Sequence, residues 1–167
     1  MEKIVLTGIE PAPGAGSDEL ANVIISRIGL IPRKKGSTEK MNKVLIEMYE
    51  RAKISYREKK PSEAVMTVEE MANFAGITRQ TMYEYLRRWQ ALNLITKTSY
   101  IGRDEKVVIG YRLNGPTLES AFEKAKQAIV NNLDTTIKLV DELQKALKNE
   151  KISQTQKENK ANPEPAA

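Results

Sequence analysis

No cysteine and no histidine occur among the 167 residues, and aromatics make up only 5% of them. Without cysteine there is no disulfide framework and no thiolate metal site. Without histidine, the usual general bases, triads and zinc ligands have no imidazole to work with. Catalysis would need paired carboxylates or an activated lysine, yet the acidic residues lie mostly beside lysines on helical faces, the pattern of solvated surfaces. An enzyme is therefore not expected, nor a metal or other cofactor. No run of about 18 apolar residues suggests a membrane span. The opening MEKIVLTGIEPAPGAG does not have the pattern of a signal peptide, so a cytoplasmic protein is expected.

What is present begins with a 40% hydrophobic fraction, enough for one core built from Leu, Ile, Val, Met and Ala. The net charge of +5 is unevenly spread. Residues 33–60 hold ten basic and four acidic groups, whereas residues 117–167 hold eight of each. The basic stretch reads either as a solvated lysine face or as a surface for phosphates, and charge alone does not separate them.

Met1–Thr7 carries a short β-rich run, followed by the loop EPAPGAGS. Gly16 is followed by Ser17 and Asp18, without the lysine a phosphate-binding loop needs, so this stretch reads as a linker. Ser17 is placed to cap a helix whose apolar positions are Leu20, Val23, Ile24 and Ile28, ending between Gly29 and Pro32. Ser37 or Thr38 then caps a longer helix with Met41, Val44, Leu45, Met48 and Ala52 on one stripe.

From Thr67 the signals tighten. Thr67 and Glu70 form a capping-box pattern, Met71, Ala72 and Ala75 face inward, and Gly76 ends the helix. Thr78 caps the next helix, which buries Ile77 at its entry and then Met82, Tyr85, Leu86 and Trp89. The period then changes to two: LITKTSYI and VVIGYRL are strands joined by GRDEK, with Gly110 at a suspected bulge. Thr117 opens the longest helix, with apolar or small residues at 118, 122, 125, 129, 133, 136, 140, 143 and 147. From Ser153 the chain is polar and expected to be disordered.

These residues carry a resemblance. MTVEEMANFAGITRQTMYEYLRRWQALNLI resembles the helix–turn–helix of archaeal and bacterial winged-helix transcription regulators, through Ala72, the Gly76–Ile77–Thr78 turn, Met82 and Tyr85. ITKTSYIGRDEKVVIGYRL is similar to their wing, and the long final helix is similar in placement to the dimerisation helix of PadR-like regulators. The implied fold is mainly α with a small β-hairpin: an N-terminal segment (1–36), a winged helix-turn-helix (37–115), a long helix (116–150) and a disordered tail (151–167).

The resemblance implies that the second helix enters the major groove of double-stranded DNA, with Thr78, Arg79, Gln80, Thr81, Tyr83, Glu84, Arg87 and Arg88 at or near the duplex. Arg79 suits guanine, Gln80 suits adenine, and Thr78 or Thr81 suits phosphate. Arg88 and Arg87 fall where backbone phosphates are met, and Arg103 and Lys106 at the wing tip grip phosphate or the minor groove. Glu84 departs from the pattern, because a carboxylate there repels phosphate unless it meets a cytosine amino group or a neighbouring arginine. Ile129, Leu133, Val140, Leu143 and Leu147 would hold a homodimer. The alternative is a winged-helix protein–protein adaptor in transcription or replication machinery, with Tyr83, Tyr85 and Trp89 in its interface. Target sequence, sign of regulation and effector are not readable from the residues.

Overall fold

The computed structural model describes residues 3–31 and 40–161. In chain order it contains α1 (Ser17–Arg27), α2 (Met41–Glu58), a 3-10 turn (Pro61–Ala64), α3 (Val68–Ala75), α4 (Arg79–Ala91), β1 (Ile95–Ile101), β2 (Val107–Leu113) and α5 (Leu118–Ala161). The chain divides into two units, Met1–Ala128 and Ile129–Ala167.

The first unit is built around α2, whose Met41, Val44, Leu45, Met48 and Ala52 are all buried, as the stripe requires. α3 packs on it and buries Met71, Ala72 and Ala75, and α4, packed on α3 and β1, buries Met82, Tyr85, Leu86 and Trp89. Burying a large apolar side chain contributes roughly 1.5–3 kcal/mol, so this methionine- and leucine-rich centre stabilises the fold despite the scarcity of aromatics.

α1 packs on α2 with a different face from the one expected. Ala21 and Ile25 are buried, followed by Leu30, while Leu20 and Ile24 are each 41% exposed and Val23 and Ile28 are half-buried. The reason lies in the first turn: Asp18 pairs with the Lys43 ammonium at 3.0 Å and accepts from the Asn42 amide at 3.2 Å, which sets the rotation of the helix. The N-cap is Gly16, with no side-chain cap, and Ser17 is already helical. Residues 3–7 do not form a strand. With no neighbouring strand to pair with, they run beside the end of α1, where the Thr7 amide donates to the Arg27 carbonyl. Pro32, Ser37 and Thr38 lie outside the described residues.

β1 and β2 pair antiparallel in unbroken register from Ile95↔Leu113 to Ile101↔Val107, so no bulge occurs at Gly110. The glycine serves close approach instead. Met66 bridges Tyr111 on the free edge of β2, and a Cβ on Gly110 would lie 2.4 Å from the Met66 carbonyl oxygen.

α5 is one helix of 44 residues, about 66 Å at 1.5 Å per residue. Thr117 caps it: the Ser120 amide donates to the Thr117 hydroxyl at 3.1 Å. Within the first unit the buried positions are Ala125, which is on the expected stripe, and Ala121, which is not, while Leu118 and Phe122 of that stripe are half-buried. Small residues at 121 and 125 allow a close approach of the helix backbone. Residues 151–161 are helical rather than disordered. Gln, Lys, Glu and Ala there favour helix, and no Gly or Pro interrupts before Pro163. Residues 162–167 lie outside the described residues. In the second unit Ile129 is half-buried, and Leu133, Ile137, Leu139, Val140, Leu143 and Leu147 are exposed.

Candidate nucleic-acid interface

The turn between α3 and α4 is fixed at both ends. The Thr67 hydroxyl accepts from the Glu70 amide at 3.2 Å, with the reciprocal Glu70 contact completing a capping box. Gly76 then takes φ 68°, a left-handed geometry that a Cβ would strain, and hands the chain to Thr78. The Thr78 hydroxyl accepts from the Thr81 amide at 3.2 Å, and the two hydroxyls lie 2.9 Å apart. Both threonines therefore first serve the cap of α4. Thr78 is exposed and Thr81 half-buried.

Because Met82, Tyr85, Leu86 and Trp89 are buried, the helix period turns Gln80, Glu84 and Arg87 to the opposite side, where all three are exposed. Tyr83 flanks them at 43% exposure. This is the outward face expected from the sequence, with two differences. Arg79 is exposed but engaged: its guanidinium pairs with Glu69 of α3 at 3.1 Å and lies 3.5 Å from the Tyr83 hydroxyl and 5.9 Å from its ring centroid. The Tyr83 contact, followed by the Glu69 charge, raises the Arg79 pKa further. Reaching a base would require Arg79 to leave Glu69. Arg88 lies on the other flank, lining a cavity of about 500 Å³ with Lys3, Val5, Thr7, Ser26 and Gly29 of the N-terminal segment. It is not grouped with Gln80 and Arg87.

The wing tip is a tight turn in which the Gly102 amide donates to the Lys106 carbonyl at 2.8 Å and the Lys106 amide to the Asp104 carboxylate at 3.3 Å. Arg103 and Lys106 are exposed, but Asp104 and Glu105 stand between them, so the tip is close to neutral. Arg103 also borders a polar cleft of about 700 Å³ shared with Glu47, Arg51 and Glu70. There Arg51 pairs with Glu70 at 2.6 Å and with Glu47 at 3.0 Å. Desolvation opposes the Arg51 charge, but hydrogen bonds to Glu47 and Glu70 outweigh it and raise its pKa.

One further exposed cation lies on the hairpin. Lys97 is exposed and pairs across the hairpin with Tyr111, so both point to the same side of the sheet. Tyr111 is buried, and burial, followed by the charge of Tyr83, raises its pKa. Among the described residues, no group of three His, Cys, Asp or Glu side chains could hold a metal ion, and no helix is long and apolar enough to cross a membrane.

Three helices, a tight α3–α4 turn and a hairpin whose second strand is bridged by Met66 define a winged helix-turn-helix, here followed by a long C-terminal helix. No protein-family model matches the chain, and no curated protein matches its sequence. A solved structure of Lactococcus lactis ZitR, wild type in complex with DNA, is similar over 84% of this chain and 93% of that one, at 18% identity and a TM-score of 0.30.

Proposed function

We propose that the chain is a homodimeric transcription regulator that binds double-stranded DNA through α4. The observation that carries this reading is the exposed row Gln80, Glu84 and Arg87 on a helix whose opposite side is locked into the core. Gln80 is in the first turn, where side chains of a helix entering the major groove reach base edges, and a glutamine can bond adenine in bidentate fashion. Arg87 and Lys97 suit flanking phosphates, and Thr78 with Thr81 stand at the amide-rich start of the helix. Glu84 selects against phosphate and favours a cytosine amino group.

The dimer rests on the pattern beyond residue 129. Ile129, Leu133, Thr136, Val140, Leu143 and Leu147 follow gaps of four and three, flanked by Ile137, Leu139 and Ala146. Every charged residue from 129 to 148 (Asp134, Lys138, Asp141, Glu142, Lys145 and Lys148) falls on the remaining side. A face without any charge, repeated in each copy, meets itself without repulsion and removes apolar surface from water. Two reading helices held together would address successive major grooves about 34 Å apart. The likeness to PadR-like regulators rests on this helix alone.

Titration of the full chain with a pool of duplexes at rising salt tests the reading. Each phosphate contact should contribute about −0.9 to the slope of log K against log salt, and discrete high-affinity sequences should emerge on selection. Absence of duplex binding at low salt would leave the second reading, a protein-interaction module. That one is favoured by Ile101, Val107 and Ile109, which are exposed along one side of the wing.

A further inference from the structure

A groove of about 870 Å³ lies between the end of α2 and the hairpin, lined by Ser55, Tyr56, Arg57, Lys59, Thr98 and Arg112. The cations of α2 fall into two groups. Lys43 is paired with Asp18, Arg51 with Glu47 and Glu70, and Lys53 with Glu50 while also covering the Tyr49 ring. Arg57 and Lys59, in contrast, enter no ion pair or side-chain hydrogen bond among the described residues, and the same holds for Arg112 of β2. The nearest acid in sequence, Glu58, is exposed and does not line the groove.

A helix C-terminus favours cations through its dipole whatever they bind, which accounts for Arg57 and Lys59. It does not account for Arg112, which a separate element brings to the same groove. Nor does it account for Tyr56, whose side chain is 78% exposed at the groove's edge. Lys59 holds its position at φ 54°, a left-handed geometry in which glycine would be less strained.

No residue of α4 lines the groove. Thr98 and Arg112 alternate in the register with Lys97 and Tyr111, so they lie on the other side of the sheet from those two. A duplex read by α4 therefore does not depend on it. Unpaired cations for phosphates, hydroxyls at Ser55 and Thr98, and an open aromatic face together match an unpaired strand, whose bases are free to stack.

We propose that this groove binds single-stranded nucleic acid, with phosphates on Arg57, Lys59 and Arg112 and a base stacked on Tyr56. The site is independent of the duplex reading, and its test separates the two. Fluorescence anisotropy of the full chain with labelled dT and U strands of about twelve nucleotides should show binding at low salt. Three contacts at about −0.7 each give a log–log salt slope of about −2. Arg57→Glu with Arg112→Glu should weaken binding more than tenfold on the order of charge reversal at two phosphates, and Tyr56→Ala on the order of tenfold by loss of stacking. Gln80→Ala with Arg87→Ala should leave it unchanged. All of these side chains are exposed, and unchanged thermal melting of each variant confirms that the fold is kept. Preference for the U strand assigns RNA as the source, and preference for dT assigns DNA. The proposal is overturned if neither strand binds, if the loss follows the α4 variants, or if the groove variant weakens duplex binding to the same extent. A chain that takes up the single strand but no duplex leaves this inference standing while removing the regulator.

Discussion

The indole N–H of Trp89 donates to the main-chain carbonyl of Leu30 at 3.1 Å in the buried core, across 59 residues of sequence. Trp89 is on the inner side of α4, and Leu30 follows α1. A single hydrogen bond thus ties the N-terminal segment to the back of the candidate reading helix. Trp89→Phe keeps an aromatic ring but leaves the Leu30 carbonyl unsatisfied, a loss of about 1–3 kcal/mol. Urea unfolding should show this loss, together with faster proteolysis within residues 3–31. Unchanged stability would mean that the segment is held by α1 and α2 alone.

Gly110→Ala should be among the most damaging small substitutions in the chain. The added carbon would meet the Met66 carbonyl oxygen at 2.4 Å and the Val65 side chain at 2.6 Å, both in the bridge at the edge of β2. Overpacking of that kind costs about 1–3 kcal/mol. Gly8→Ala, where a Cβ meets nothing within 4 Å, is the matched control. Equal thermal midpoints for the two variants would contradict the close-approach account.

On the reading face, Gln80→Ala is expected to lower affinity for the best duplex site by roughly 1–3 kcal/mol while leaving random duplex nearly unaffected. Arg87→Ala should weaken both alike. Arg79 supplies the sharper test, because it is held by Glu69 at 3.1 Å. Glu69→Gln should release the guanidinium and raise duplex affinity, and Arg79→Ala should abolish that gain. If Glu69→Gln changes nothing, Arg79 serves the α3–α4 turn rather than DNA.

The charge-free side of α5 sets the fourth expectation. Leu133→Glu with Val140→Glu places carboxylates where a second copy would bury them without partners, which is strongly unfavourable. Sedimentation equilibrium should give twice the 18.8 kDa chain mass for the wild type and the single mass for the variant. Duplex affinity should fall with it, since the second half-site would no longer be tethered. A wild-type protein that sediments at the single mass at tens of micromolar concentration rules out the dimer.

Much of the first unit was legible because its signals are local. The Thr67–Glu70 capping box, the Gly76 turn, the Thr78 cap and the buried face of α4 each depend on residues within a turn or two of one another. Helical and strand periods then sort inward from outward positions without knowledge of any partner. The outward placement of Gln80, Glu84 and Arg87 follows from the same arithmetic.

Other features depended on what lies across the fold. The rotation of α1 was misread because Asp18 answers to Lys43 and Asn42, 25 and 24 residues away. Gly110 looked like a bulge because Met66, the residue it makes room for, belongs to a segment with no strand signal of its own. Arg79 reads as a base contact and Arg88 as a phosphate contact beside Arg87, yet Glu69 engages the first and the N-terminal segment flanks the second. By itself the sequence determined α2 to α4, the turn, the hairpin and the charge-free side of α5, since each is a short-range pattern. Only tertiary structure decided which cations stay unpaired and which side of the sheet each faces, because ion pairing and packing are made between residues that the chain keeps far apart.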